Sequence, residues 1–110
     1  MSNIIEKQTD ILNNLLNIMV NSIDGEYDSC SCQFEYDHDY QDGSTSTGAE
    51  LSYILNQENK SIGIKQMGVV DSLIRELHEL MKNHTGGDWK EFTLSLDENG
   101  RAHTKFIYDK

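Results

Sequence analysis

Hydrophobic periodicity changes from helical to alternating near residue 25, and this change limits the possible folds more than any other feature of the sequence. Between residues 3 and 23, apolar side chains such as Leu15 and Met19 recur every three or four positions, as in an amphipathic helix. Asp24 and Gly25 follow, and glycine readily adopts the left-handed conformation that ends a helix. The sequence therefore predicts an N-terminal helix that ends near residue 24.

Side chains alternate between apolar and polar after this helix, which indicates a strand covered on one face. The two cysteines stand two positions apart in this run, where a disulfide between them is poorly placed, so we expect free thiols that serve as small core residues. The predicted covered face carries Cys30, Cys32, Phe34 and Tyr36, and the predicted open face carries Ser29, Ser31, Gln33 and Glu35.

The rest of the chain supplies four more strands and one helix. An Asp-, Ser- and Thr-rich stretch at 37–48 predicts a long loop, and alternation predicts strands at 50–55 and 60–67 on either side of a turn. Helical spacing returns at 69–84 and should end at Gly86 and Gly87. With a final hairpin, the order is α-β-β-β-α-β-β. We expect an α+β fold in one domain spanning 1–110, with an antiparallel five-stranded sheet and two helices packed on one face.

Side-chain parity fixes the turn of the last hairpin. A two-residue loop at Asn99 and Gly100 would pair Leu96 with His103. The apolar side chains of one strand would then lie beside polar and charged side chains of the other. A three-residue loop at 98–100 instead pairs Leu96 with Ala102, and it suits a type I turn with Gly100 in the left-handed bulge position. We therefore predict the three-residue loop.

Acidic residues are concentrated in one half of the chain. The 110 residues carry a net charge of −10, and no lysine or arginine occurs between Lys7 and Lys60. Such a one-sided field disfavours nucleic acids and anionic membranes as partners and favours a cationic protein. No run of about 20 apolar residues is present that could span a membrane, and the N-terminus lacks a signal peptide pattern, so we expect a cytoplasmic protein.

The acidic segment at 37–42 contains four possible metal ligands, but their spacing does not match a calcium loop. That motif needs glycine at its sixth position; counting from Asp37 gives Asp42 there, and counting from Asp39 gives Ser44. Without a catalytic histidine motif or phosphate loop, the sequence favours a polar loop. A small metal protein or enzyme remains an alternative, with candidate ligands Asp37, His38, Asp39 and Asp42.

Tyr40 gives this segment another possible role. A rigid aromatic side chain among carboxylates is typical of an anchor that binds a surface rich in lysine and arginine. A solvated acidic loop without a partner is the alternative. The four histidines match no catalytic or metal motif and are expected to face solvent.

The C-terminal segment resembles the YezG-like immunity proteins, small bacterial antidotes to polymorphic toxins. In that family a helix is followed by a tryptophan, an alternating strand, a turn glycine and a strand ending in an aromatic-Tyr-Asp sequence. The matching positions here are Trp89, Phe92, Leu94, Leu96, Gly100, Phe106, Tyr108 and Asp109.

The resemblance implies a protein that binds and neutralises a cognate toxin, frequently a nuclease. It implies no catalytic residue, and we expect no cofactor. Taken with the charge, it favours a cationic toxin domain as the partner; an acidic adaptor or nucleic-acid mimic is the remaining alternative. The expected toxin-binding residues are Glu35, Asp37, Asp39, Tyr40, Asp42 and Glu50.

Overall fold

The computed structural model describes residues 4–23, 25–39 and 41–108 and contains two helices and five strands. Asp24, Tyr40 and Asp109, which carry sequence predictions, lie outside the described residues. The predicted order α-β-β-β-α-β-β and the α+β class are confirmed. The elements are α1 (Ile4–Ser22), β1 (Ser29–His38), β2 (Thr45–Leu55), β3 (Glu58–Ile62), α2 (Met67–Thr85), β4 (Glu91–Leu96) and β5 (Ala102–Ile107).

The five strands form one antiparallel sheet in the order β3-β2-β1-β4-β5. Both helices pack on the face that carries Cys32 and Phe34, which we call the covered face. Leu15 and Met19 of α1 and Leu77 of α2 are fully buried in the same core. The opposite side of the sheet, which starts with Ser29 and Ser31 on β1, is the open face. The alternation read from the sequence therefore divides the two faces correctly.

The last hairpin adopts the predicted register. Leu96 lies opposite Ala102, and Phe92 lies opposite Phe106. Gly100 closes the three-residue loop with a φ of 79°, and its N–H donates to the carbonyl of Asp97 at 3.0 Å. This positive φ explains why the turn requires a glycine.

The long loop predicted at 37–48 is wrong, because the hairpin between β1 and β2 extends further. Pairing continues to His38 opposite Thr45, so the connection comprises only residues 39–44. Threonine is favoured in strands, and the unbroken register carries the Ser/Thr-rich segment into β2. The third strand, predicted at 60–67, also shifts. A turn at Asn56 and Gln57, with φ of 53° and 68°, starts β3 at Glu58, and the strand ends at Ile62 because the chain then leads into α2.

The predicted helix end and the predicted free thiols are confirmed. Gly86 caps α2 with a φ of 74°, and its N–H donates to the carbonyl of Lys82. Cys30 and Cys32 are buried free thiols, and burial raises the pKa of Cys32 to about 12. Within the described ranges, no helix combines the length and apolar character needed to cross a membrane.

Candidate functional site

The open face of the sheet carries a broad groove. Its middle is lined by small polar side chains, and the groove above them has a volume of about 650 Å³. Neither helix covers this face, because both pack on the other side of the sheet. Residues that line the groove include Ser31, Gln33, Glu50, Ser52, Asn59, Ser61 and Thr93.

Three of the predicted toxin-binding acids lie together at one end of this open face. Glu35 and Asp37 are exposed and two positions apart on β1, so they point the same way. Glu50 on β2 is exposed and lies opposite Gln33, one pair further along the same face. No lysine or arginine of β1 or β2 opposes them, because neither strand contains one.

Gly48 leaves space for one of these carboxylates. It lies opposite Glu35, and a Cβ placed on Gly48 would stand 3.6 Å from Oε2 of Glu35. The Glu35 side chain therefore lies against the backbone of β2 at Gly48. Because Gly48 has no side chain, none at this position separates the Glu35 carboxylate from the outer edge of β2.

Glu91 adds a fourth carboxylate that sequence reasoning missed. It lies opposite Glu35 on β4, is only 7% exposed, and accepts a hydrogen bond from Nε2 of Gln33. Alternation with Phe92 could have assigned Glu91 to the open face. Its position beside Glu35 depends on the pairing of β4 with β1, and no local sequence signal gives that pairing.

The acids of the 39–44 connection stabilise the turn rather than join the open face. Oδ1 of Asp39 accepts from the N–H of Gln41 at 2.8 Å, and Oδ1 of Asp42 accepts from the N–H of Ser44 at 2.8 Å. Hydrogen bonds from the Ser44 side chain and backbone lower the pKa of Asp42. Both acids are exposed, and neither lies on the strand face that holds Glu35 and Glu50.

The candidate metal ligands do not converge. Asp37 is on the open face, whereas His38 follows it on β1 and points to the other side, where Nδ1 lies 2.7 Å from Oγ1 of Thr45. Asp39 and Asp42 are directed into the turn. Among the described residues, no group of three or more His, Cys, Asp or Glu side chains is arranged to hold a metal ion.

His78 is buried, so the prediction that every histidine faces solvent is wrong at this position. The residue is 3% exposed, and its ring stacks on that of Tyr36 with the centroids 3.7 Å apart and has Nε2 at 2.9 Å from Oδ1 of Asp88. Burial lowers the pKa of His78, and the Asp88 contact partly opposes that shift. The spacing from Ile74 to His78 to Met81 places it on the buried stripe of α2, a signal that was present in the sequence.

Comparison with known proteins gives no assignment. No protein-family model matches the chain, and no curated protein matches it.

Proposed function

We propose that this chain is an immunity protein that binds a cognate bacterial toxin and neutralises it stoichiometrically in the cytoplasm. The observation that carries the proposal is the acidic end of the open face, where Glu35, Asp37 and Glu50 point outward from two strands that contain no lysine or arginine. The resemblance of the C-terminal hairpin to YezG-like immunity proteins supports the same function.

A nuclease is the toxin that fits this surface best. Nucleases bind phosphates through lysine and arginine, so an acidic protein can be attracted to that surface and cover it. Charge complementarity would mainly raise the association rate and select the partner. The serine-lined middle of the open face supports the proposal because small side chains let a partner approach closely.

Co-expression with the toxin domain encoded next to this chain tests the proposal. We expect the chain to restore growth and to co-purify with that domain. Growth arrest despite good expression of both proteins would exclude the pairing.

Charge-reversal variants locate the binding surface. We expect the triple variant E35K/D37K/E50K to fold but to associate at least about tenfold more slowly at low ionic strength, since steering depends on local charge. The matched control reverses three exposed acids away from the open face and changes the net charge equally; these acids are Asp10, Glu76 and Glu79. Equal slowing by both variants would mean that overall charge matters and the open face does not.

A further inference from the structure

The outer edge of β2 is unpaired over half of its length. This strand has 11 residues, whereas β3 has 5 and pairs with β2 only from Leu51 to Leu55. Residues 45–50 have β1 on one side, and no strand of the described chain lies on their other side. The sheet therefore ends with an open edge beside the acidic part of the open face.

Two residues present their backbone groups at this edge. The carbonyls of Ser44 and Ile54 accept hydrogen bonds from the β1 side, so the even-numbered residues of β2 face β1. The odd-numbered residues face outward, and Nη2 of Arg75 donates to the carbonyl of Thr45 at 3.2 Å. Thr47 and Ala49 therefore present N–H and C=O groups that no described strand pairs.

At Thr47 and Ala49 the edge lacks the residues that usually prevent strand addition, whereas Arg75 covers the carbonyl of Thr45. Proteins block open edges with lysine, proline, bulges or a covering element. Residues 45–50 contain no lysine or proline, and their pairing with β1 is continuous, without a bulge. By contrast, the edge strands β3 and β5 carry Lys60 and Lys105. The groove on the open face also reaches this edge, because Ala49 and Glu50 line it together with Ile62 and Gly63, where β3 ends.

The charges beside the edge select the side chains of an added strand. A strand next to β2 would lie about 4.8 Å away and place alternate side chains beside Ser46, Gly48 and Glu50 on the open face. Basic side chains there would reach Glu50 directly and Glu35 across Gly48. Small or apolar side chains would alternate with them, toward Thr47 on the covered side.

We infer that residues 45–50 are a docking edge at which an extended, lysine- or arginine-bearing segment of the partner protein adds a sixth strand to the sheet. Backbone hydrogen bonds from Thr47 and Ala49 hold the segment, and Glu35 and Glu50 select its basic side chains. The inference rests on the proposed function only for the identity of the partner, a toxin domain.

Proline variants at the two sheet edges test the inference. A49P removes an N–H that points outward, so it breaks no hydrogen bond of the sheet. The matched control is T104P on β5, since the carbonyls of Arg101 and Ile107 face β4 and Thr104 therefore faces outward. Circular dichroism shows whether both variants fold.

The probe is a peptide of alternating lysine and valine, used with the full chain at low salt. We expect it to slow hydrogen exchange at the Thr47 and Ala49 amides of the wild-type chain. A49P should weaken peptide binding about tenfold, the value of one lost hydrogen bond, and T104P should leave it within about twofold. The wild-type exchange measurement decides the question even if A49P fails to fold.

Several results would overturn the inference. One is the absence of peptide binding, and another is peptide binding that does not slow hydrogen exchange at Thr47 and Ala49. A third is an equal loss of peptide affinity in A49P and T104P. The last is slowed exchange that depends on protein concentration alone, which would make a second copy of the chain the occupant. Failure of the wild-type chain to bind the toxin domain, with peptide protection intact, would refute the proposed function and leave the docking edge standing. Toxin binding unaffected by A49P would refute the edge and keep the function.

Discussion

Replacing Trp89 with phenylalanine should cost far less stability than replacing it with alanine. The indole is fully buried, with the rings of His78 and Phe92 at 4.9 and 5.0 Å and those of Phe106 and Tyr36 at 5.7 and 5.9 Å. Its Nε1 has no hydrogen-bond partner among the described residues. The side chain therefore combines extensive favourable packing with one buried N–H that is costly.

The two contributions predict different magnitudes for the two variants. W89A removes the ring from the aromatic cluster and should lower the free energy of unfolding by about 3–5 kcal/mol. W89F removes three heavy atoms, a loss of about 2 kcal/mol at roughly 0.8 kcal/mol per buried group. It also relieves the unpaired N–H, which costs about 1–3 kcal/mol. The net change for W89F should therefore be within about 1 kcal/mol.

Urea unfolding followed by far-ultraviolet circular dichroism measures both changes. Fluorescence is unsuitable because Trp89 is the only tryptophan and both variants lose it. With an m-value of about 2 kcal/mol/M, W89A should shift the midpoint by roughly 2 M and W89F by less than about 0.5 M. A W89F loss as large as that of W89A would show that the indole N–H makes a stabilising hydrogen bond, contrary to the reasoning.

Three further predictions concern single residues. The unfolded chain binds a proton at His78 more readily than the folded chain, so the free energy of unfolding should fall as pH drops below the ordinary pKa of 6.5. Urea unfolding between about pH 5 and 7 should show a flatter pH dependence for H78Q than for the wild type. The same dependence of unfolding free energy on pH in both proteins would contradict this. G100A should lower the free energy of unfolding by about 1 kcal/mol because Gly100 has a φ of 79°. G63A should leave it unchanged, because Gly63 has neither a positive φ nor a close neighbour. Equal shifts of the melting temperature in the two variants would refute the difference. S22A should lower the free energy of unfolding by about 1 kcal/mol, because it removes the hydrogen bond from the N–H of Lys65 to Oγ of Ser22; wild-type thermal stability would argue against that bond.

Local sequence patterns predicted the elements whose pairing is short-range. The last hairpin could be predicted because only one loop length keeps Leu94 and Phe106 on the same face. The hairpin between β1 and β2 could not, because the Ser/Thr-rich stretch after Asp42 contains no apolar alternation to mark the strand. Its extended conformation comes from continued pairing with β1, which is a tertiary effect.

The candidate site was predicted in part for the same reason. Alternation along β1 placed Glu35 on the open face, and Asp37 follows two positions later. Asp39 and Asp42 were grouped with them by charge, although their carboxylates accept backbone hydrogen bonds within the turn. The place of Glu91 next to Glu35 required the strand order, which the sequence does not encode locally.

Titration of the proposed partner, a toxin nuclease, with the purified chain tests the central claim most directly. Residual nuclease activity should fall linearly with added chain and vanish at one equivalent, because neutralisation is proposed to occur by binding. The end point should stay at one equivalent as salt rises, while the association rate decreases. Full nuclease activity at several equivalents of chain, or complete loss far below one equivalent, would contradict stoichiometric neutralisation.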